Sequence, residues 1–118
     1  MDSSTANQLI SAIHWHSRHT PAWDDNPWAY VEHGILPPGR SRRLGVLSLD
    51  SVGFKAYLGV QHFDPGLWGY RGTAYCKFFL SLWTGKVCRE LRTYPTMEQA
   101  LERLRAFYTA AFPSQRRN

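Results

Sequence analysis

The chain has 118 residues, 43% of them apolar and 19% charged. That composition excludes a disordered polymer and allows one domain with a hydrophobic core that needs no metal or disulfide staple. Its net charge of +5 and pI of about 9.6 favour an anionic partner, either nucleic acid or an acidic protein surface. Of the fourteen basic residues, Lys55, Lys77 and Lys86 are lysine and the rest arginine. Arginine offers a planar fork that pairs with phosphate and stacks on rings, although a GC-rich genome produces the same bias.

No apolar run is long enough to span a bilayer, and residues 1 to 6 lack the basic and apolar regions of a signal peptide. The expectation is a cytoplasmic protein with reduced thiols, no membrane association and no cofactor. Two cysteines, Cys76 and Cys88, are too few to infer a disulfide framework.

In chain order, residues 2 to 16 read as a helix capped by Asp2, Ser3 or Ser4, with a stripe of Ala6, Leu9, Ile10 and Ile13. Residues 17 to 28 form a loop broken by Pro21 and Pro27 and carrying Trp23 and Trp28. Residues 28 to 35 read as a first strand, 36 to 39 as a turn, and Arg40-Ser41-Arg42-Arg43 as a basic cluster. A second strand over 44 to 49 and a turn over 50 to 53 lead to a third strand over 54 to 63. There Phe54, Ala56, Leu58 and Val60 face one way, and Lys55, Tyr57, Gly59 and Gln61 the other. Residues 64 to 72 form a glycine-rich loop presenting Trp68, Tyr70 and Arg71.

Residues 75 to 112 read as a hairpin docked on an amphipathic helix. With Thr84-Gly85 as the turn, Leu82 meets Val87, Leu80 meets Arg89 and Phe78 meets Leu91 on a buried face. Trp83 then meets Lys86, Ser81 meets Cys88, Phe79 meets Glu90 and Lys77 meets Arg92 on an open face. A slip of one residue would exchange the faces. The final helix is capped by Thr96 with Gln99 three residues on. It buries Met97, Ala100, Leu101, Leu104, Phe107, Tyr108 and Ala111, and stops at Pro113 before a flexible basic tail over 113 to 118. These elements predict an α+β fold of a single domain. It has one antiparallel sheet of about five strands, with N- and C-terminal helices mainly on one face, in the order α-β-β-β-β-β-α.

The leading functional expectation is a non-catalytic protein that binds single-stranded nucleic acid or nucleoprotein. Tyr75, Lys77, Phe79 and Trp83, with Lys86 and Arg92 on the partner strand and Lys55 and Tyr57 beyond, interleave aromatics with cations on the open face. Rings stack on bases while cations meet phosphate. Arg40, Arg42 and Arg43 would extend the charge, and Trp68, Tyr70 and Arg71 the aromatic surface.

A protein-binding inhibitor or adaptor is the rival expectation. Phage and mobile-element accessory proteins are of this size, and the loops carrying Trp23, Trp28, Trp68 and Tyr70 would serve as hot spots. A homodimer would cover the same surfaces. A small-molecule pocket between sheet and helices is the third class.

His14, His16 and His19 invite a metal, but on a helix His16 and His19 share a face and His14 points elsewhere. A site would need a further ligand such as His33, His62 or Asp24, and no Cys pair has zinc-ligand spacing. Cys76, on the buried face, and Cys88, on the open one, have no evident base to make a reactive thiolate. Phosphate loops, nucleophile elbows and clustered carboxylates are absent. No enzyme is expected.

Overall fold

Alternating apolar residues make residues 54 to 63 the middle of a sheet, with Phe54, Ala56, Leu58 and Val60 buried on one face. In the computed structural model, which describes residues 8–16 and 26–112, five antiparallel strands lie in chain order. They are β1 (His14–Trp15), β2 (Ser41–Leu49), β3 (Phe54–Phe63), β4 (Tyr75–Thr84) and β5 (Val87–Tyr94). Residues 8–11 are helical, and α1 (Ala29–Glu32), a 3-10 turn (Pro65–Trp68) and α2 (Met97–Ala111) complete the α+β fold. The core lies on a single face of the sheet. There Leu58, Leu80 and Leu82 share one buried cluster with Ala100 and Leu104 of α2 and with Leu9, Ile13 and Tyr30.

The N-terminal helix expected to reach residue 16 ends at residue 11, and residues 2 to 7 lie outside the described part. His14 and Trp15 instead pair with Val46 and Gly45 of β2. Histidine and tryptophan are weak helix formers, so a vacant sheet edge outweighs local propensity.

The strand expected at residues 28 to 35 is the short helix α1. Asn26 Oδ1 accepts the Trp28 N–H at 3.1 Å at its start, and Pro27 suits a first turn. Gly34, at φ +72°, ends it, and the N–H groups of Ile35 and Leu36 both donate to the Tyr30 carbonyl. Five strands remain because β1 takes the place of the strand lost at α1. The second strand starts before residue 44, since Ser41, Arg42 and Arg43 of the basic cluster begin β2.

Thr96 caps α2 as expected, its Oγ1 accepting the Gln99 N–H at 3.2 Å. Met97, Ala100, Leu104 and Tyr108 are buried, Leu101 and Phe107 half-buried, and Ala111 exposed. Pro113 and the tail lie outside the described residues.

The hairpin register differs from the expected one. The loop is Gly85-Lys86, and Thr84 pairs with Val87. Gly85 has φ +60°, the left-handed value required at the first loop position, which Gly adopts freely and Thr does not. A bulge follows: Trp83 pairs with Cys88 but Leu82 with Glu90, leaving Arg89 as the extra residue. Its Nε donates to Thr84 Oγ1 at 2.7 Å.

The bulge turns β5 over, since the change of loop alone moves the pairing by two residues and keeps the faces. Leu91 and Val87 are exposed rather than core, while Glu90, Arg92 and Tyr94 take the helix face. Glu90 is held there by Arg103 of α2, whose Nε and Nη2 donate to its two carboxylate oxygens at 2.8 and 2.7 Å.

That bidentate bond is the main reason the Glu90 carboxyl sits below its ordinary value near 4.5. A lowered folded-state pKa adds stability that is present above the unfolded-state value and lost as pH falls through the folded one. Glu90→Gln is therefore expected to cost about 1 kcal/mol at pH 7, modest because Arg103 is 35% exposed and solvent screens the pair. Urea denaturation of both proteins should show the gap closing as pH falls below 4.5. A gap of the same size at low pH would overturn this account.

Candidate nucleic-acid interface

Residues paired across antiparallel strands share a face, so the register places every side chain on the side opposite the core. At one end Phe63 pairs with Tyr75, their rings 5.2 Å apart. The next row is Ser41, Gln61 and Lys77, and the one after it Arg43, Gly59, Phe79 and Thr93. Then come Val46, Tyr57, Ser81 and Leu91, and finally Ser48, Lys55, Trp83 and Cys88. His14 adjoins Val46 at the β1 edge. Among these described strand residues there are three permanent cations, five large aromatics and no acid.

The rings are fixed by contacts within the face. The Arg43 guanidinium lies 4.1 Å from the centre of the Tyr57 ring, a cation–π contact that holds it over the sheet. Tyr57 meets Trp83 edge to face at 6.5 Å, and Trp83 Nε1 donates to Ser81 Oγ at 3.2 Å. Lys77 Nζ sits 5.4 Å from the centre of Tyr75. Phe79 leans across β3: a Cβ at Gly59 would come within 2.1 Å of its Cζ and 2.7 Å of the Arg42 carbonyl oxygen. Gly59 thus leaves the room that the Phe79 ring occupies. Beside that ring opens a cavity of about 230 Å³ lined by Ser41, Gln61, Phe79, Leu91 and Thr93.

The structure brings Arg43, Lys55, Tyr57, Tyr75, Lys77, Phe79 and Trp83 together, and separates the other expected site residues from them. Arg92 does not face Lys77. It pairs with Leu80 and lies 3.8 Å from Glu90 on the helix side, because the bulge reverses β5. Arg42 pairs with Val60 and shares the orientation of the buried face, ending in solvent at the sheet margin. Lys86 is in the hairpin loop and Arg40 precedes β2. Trp68, Tyr70 and Arg71 are exposed in the segment that follows β3.

Sequence reasoning missed Phe63, Ser41, Leu91 and Thr93 as parts of this face. The alternation of β3 reaches Phe63 and could have found it; the other three depend on pairing between distant strands.

The thiols and histidines fall as follows. Burial pushes the Cys76 thiol up to about 11, which keeps it protonated at neutral pH. Cys88 is exposed, and its thiol lies 3.6 Å from the Glu90 carbonyl. His14 and His16 meet edge to face at 5.6 Å; His19, Asp24 and Trp23 lie outside the described residues. Among the described residues no three His, Cys, Asp or Glu side chains converge on a metal site. Trp28 is half-buried against His62 at 5.2 Å, closing the margin of the core. No described helix is long and apolar enough to cross a membrane.

The site thus belongs to an open-faced α+β domain with a basic aromatic sheet surface. Comparison with protein-family models, curated proteins and solved structures finds no match to this chain.

Proposed function

We propose that this protein is a non-catalytic binder of single-stranded nucleic acid, which lies across the face formed by β2, β3, β4 and β5. The observation that carries the reading is the concentration of Arg43, Lys55 and Lys77 among Tyr57, Phe63, Tyr75, Phe79 and Trp83 on one face without an acidic residue. Rings offer stacking surfaces to any base and the cations meet phosphate, so affinity falls steeply with salt. Fluorescent single-stranded oligonucleotides titrated at low and moderate salt test this. Micromolar or tighter binding at low salt that weakens as salt rises is expected; no micromolar binding at low salt overturns it.

A protein partner is the second reading, favoured by a separate patch. Leu67, Trp68 and Tyr70 are 59, 66 and 70% exposed around the 3-10 turn, next to Arg71. Asp64 Oδ1 accepts the Gly66 N–H at 3.0 Å and shapes that turn. Tryptophan, tyrosine and arginine are the side chains that anchor protein interfaces. On this reading Trp68→Ala abolishes co-purification of a host protein while leaving oligonucleotide affinity unchanged; retention of the partner by the variant removes this loop as its interface.

A further inference from the structure

The cavity beside Phe79 has a chemistry distinct from the rest of the face. Its described lining holds one ring, one aliphatic side chain, two hydroxyls and one amide, with neither a cation nor a carboxylate. The side chains of Ser41, Gln61 and Thr93 make no hydrogen bond among the described residues, so their donors and acceptors are available to a ligand. Lys77 is the cross-strand partner of Gln61, and Arg43 follows Ser41 two residues along β2. Two cations therefore flank a neutral, polar recess with an aromatic wall.

We propose that this recess takes one base of the bound strand and reads its edge through the Gln61 amide, with a preference for adenine. The inference rests on the nucleic-acid reading above and adds sequence selectivity to it. A primary amide presents a donor and an acceptor side by side, matching the adjacent amino group and ring nitrogen of adenine. In a single strand an amide also fits the Watson–Crick edge of cytosine or thymine. Of these three bases, however, adenine alone offers a donor–acceptor pair on two edges, its amino group with N1 and with N7, and it brings a two-ring face to Phe79. The described lining has neither the cationic fork that favours guanine nor the carboxylate that favours the cytosine amino group. Ser41 and Thr93 hydroxyls supply further hydrogen bonds from the two sides, while Phe79 packs against the base. Lys77 and Arg43 engage the flanking phosphates and contribute no selectivity.

The test measures binding of short oligo(dA), oligo(dC) and oligo(dT) to the full chain, as wild type, Gln61→Ala and Gln61→Glu, each at several salt concentrations. Wild type is expected to prefer oligo(dA) by roughly tenfold. Gln61→Ala should bind the three sequences within about twofold of one another, with the salt slope unchanged, because the amide contributes selectivity and not charge neutralisation. Gln61→Glu keeps the side-chain length but puts a carboxylate opposite Lys77, so it should weaken binding of all three sequences and move the preference from oligo(dA) to oligo(dC). Equal binding of the three sequences by wild type overturns the pocket and leaves the general reading standing. So does an adenine preference that survives in Gln61→Ala. Absence of binding to any of them at low salt overturns both.

Discussion

Replacing Arg43, Lys55 and Lys77 together with Gln is expected to lower affinity for single-stranded oligonucleotides by about a hundredfold or more at about 50 mM salt. The plot of log affinity against log salt should flatten by about 2, given roughly 0.7 counterions released per phosphate contact on a single strand. The three side chains are exposed on the open face and contribute nothing to the core, so the variant should melt with the wild type. Arg42→Gln with Arg92→Gln is the matching control. It removes charge from residues oriented to the helix side and should change affinity little. Equal losses per charge removed from the triple variant and this two-charge control would show that net charge alone governs binding and that no face is involved.

Phe54→Ala is expected to cost roughly 3–5 kcal/mol and lower the melting temperature by about 10–20 °C. Phe54 is 1% exposed at the start of β3. Its ring centre lies 6.0, 5.5 and 5.6 Å from those of Phe107, Tyr108 and Phe112. Its removal both opens a cavity and frees the C-terminal turn of α2 from the sheet. Leu91→Ala reads out the hairpin register in the same experiment. With Leu91 66% exposed it should fall within about 0.5 kcal/mol of wild type. A loss comparable to that of Phe54→Ala would place Leu91 in the core and remove the bulge at Arg89.

Parts of the candidate site were legible for a local reason. Strand alternation has a period of two, so β3 assigns Lys55, Tyr57 and Gln61 to one side and Phe54, Ala56, Leu58 and Val60 to the other from their spacing alone. The same alternation in β4 places Tyr75, Lys77, Phe79 and Trp83 together. The Arg92 error has an equally local origin. Apolar residues at 87 and 91 suggest a buried side of β5, but the strand is at the sheet edge and its orientation follows from the bulge. Gly85 carried the signal for the loop alone, since a hairpin loop that begins with glycine is the one whose first residue can adopt a positive φ, while the reversal of Arg92 comes from the extra residue Arg89.

What the sequence determined by itself is the set of facts that local chemistry enforces. These are an α+β domain, the extent of β3, the capped helix α2, and the separation of core from open face on β3 and β4. Each depends on side chains within one or two turns or a few strand residues of one another. Tertiary structure decided the rest. It set His14–Trp15 as a strand because β2 offered an edge, and Arg92 on the helix side beside Glu90 because an extra residue enters β5. It also formed the Ser41–Gln61–Thr93 recess, because three strands distant in the chain converge around Phe79. Such placements follow from which strand edges meet and in what register, a balance of long-range pairing and burial that no local window of residues contains.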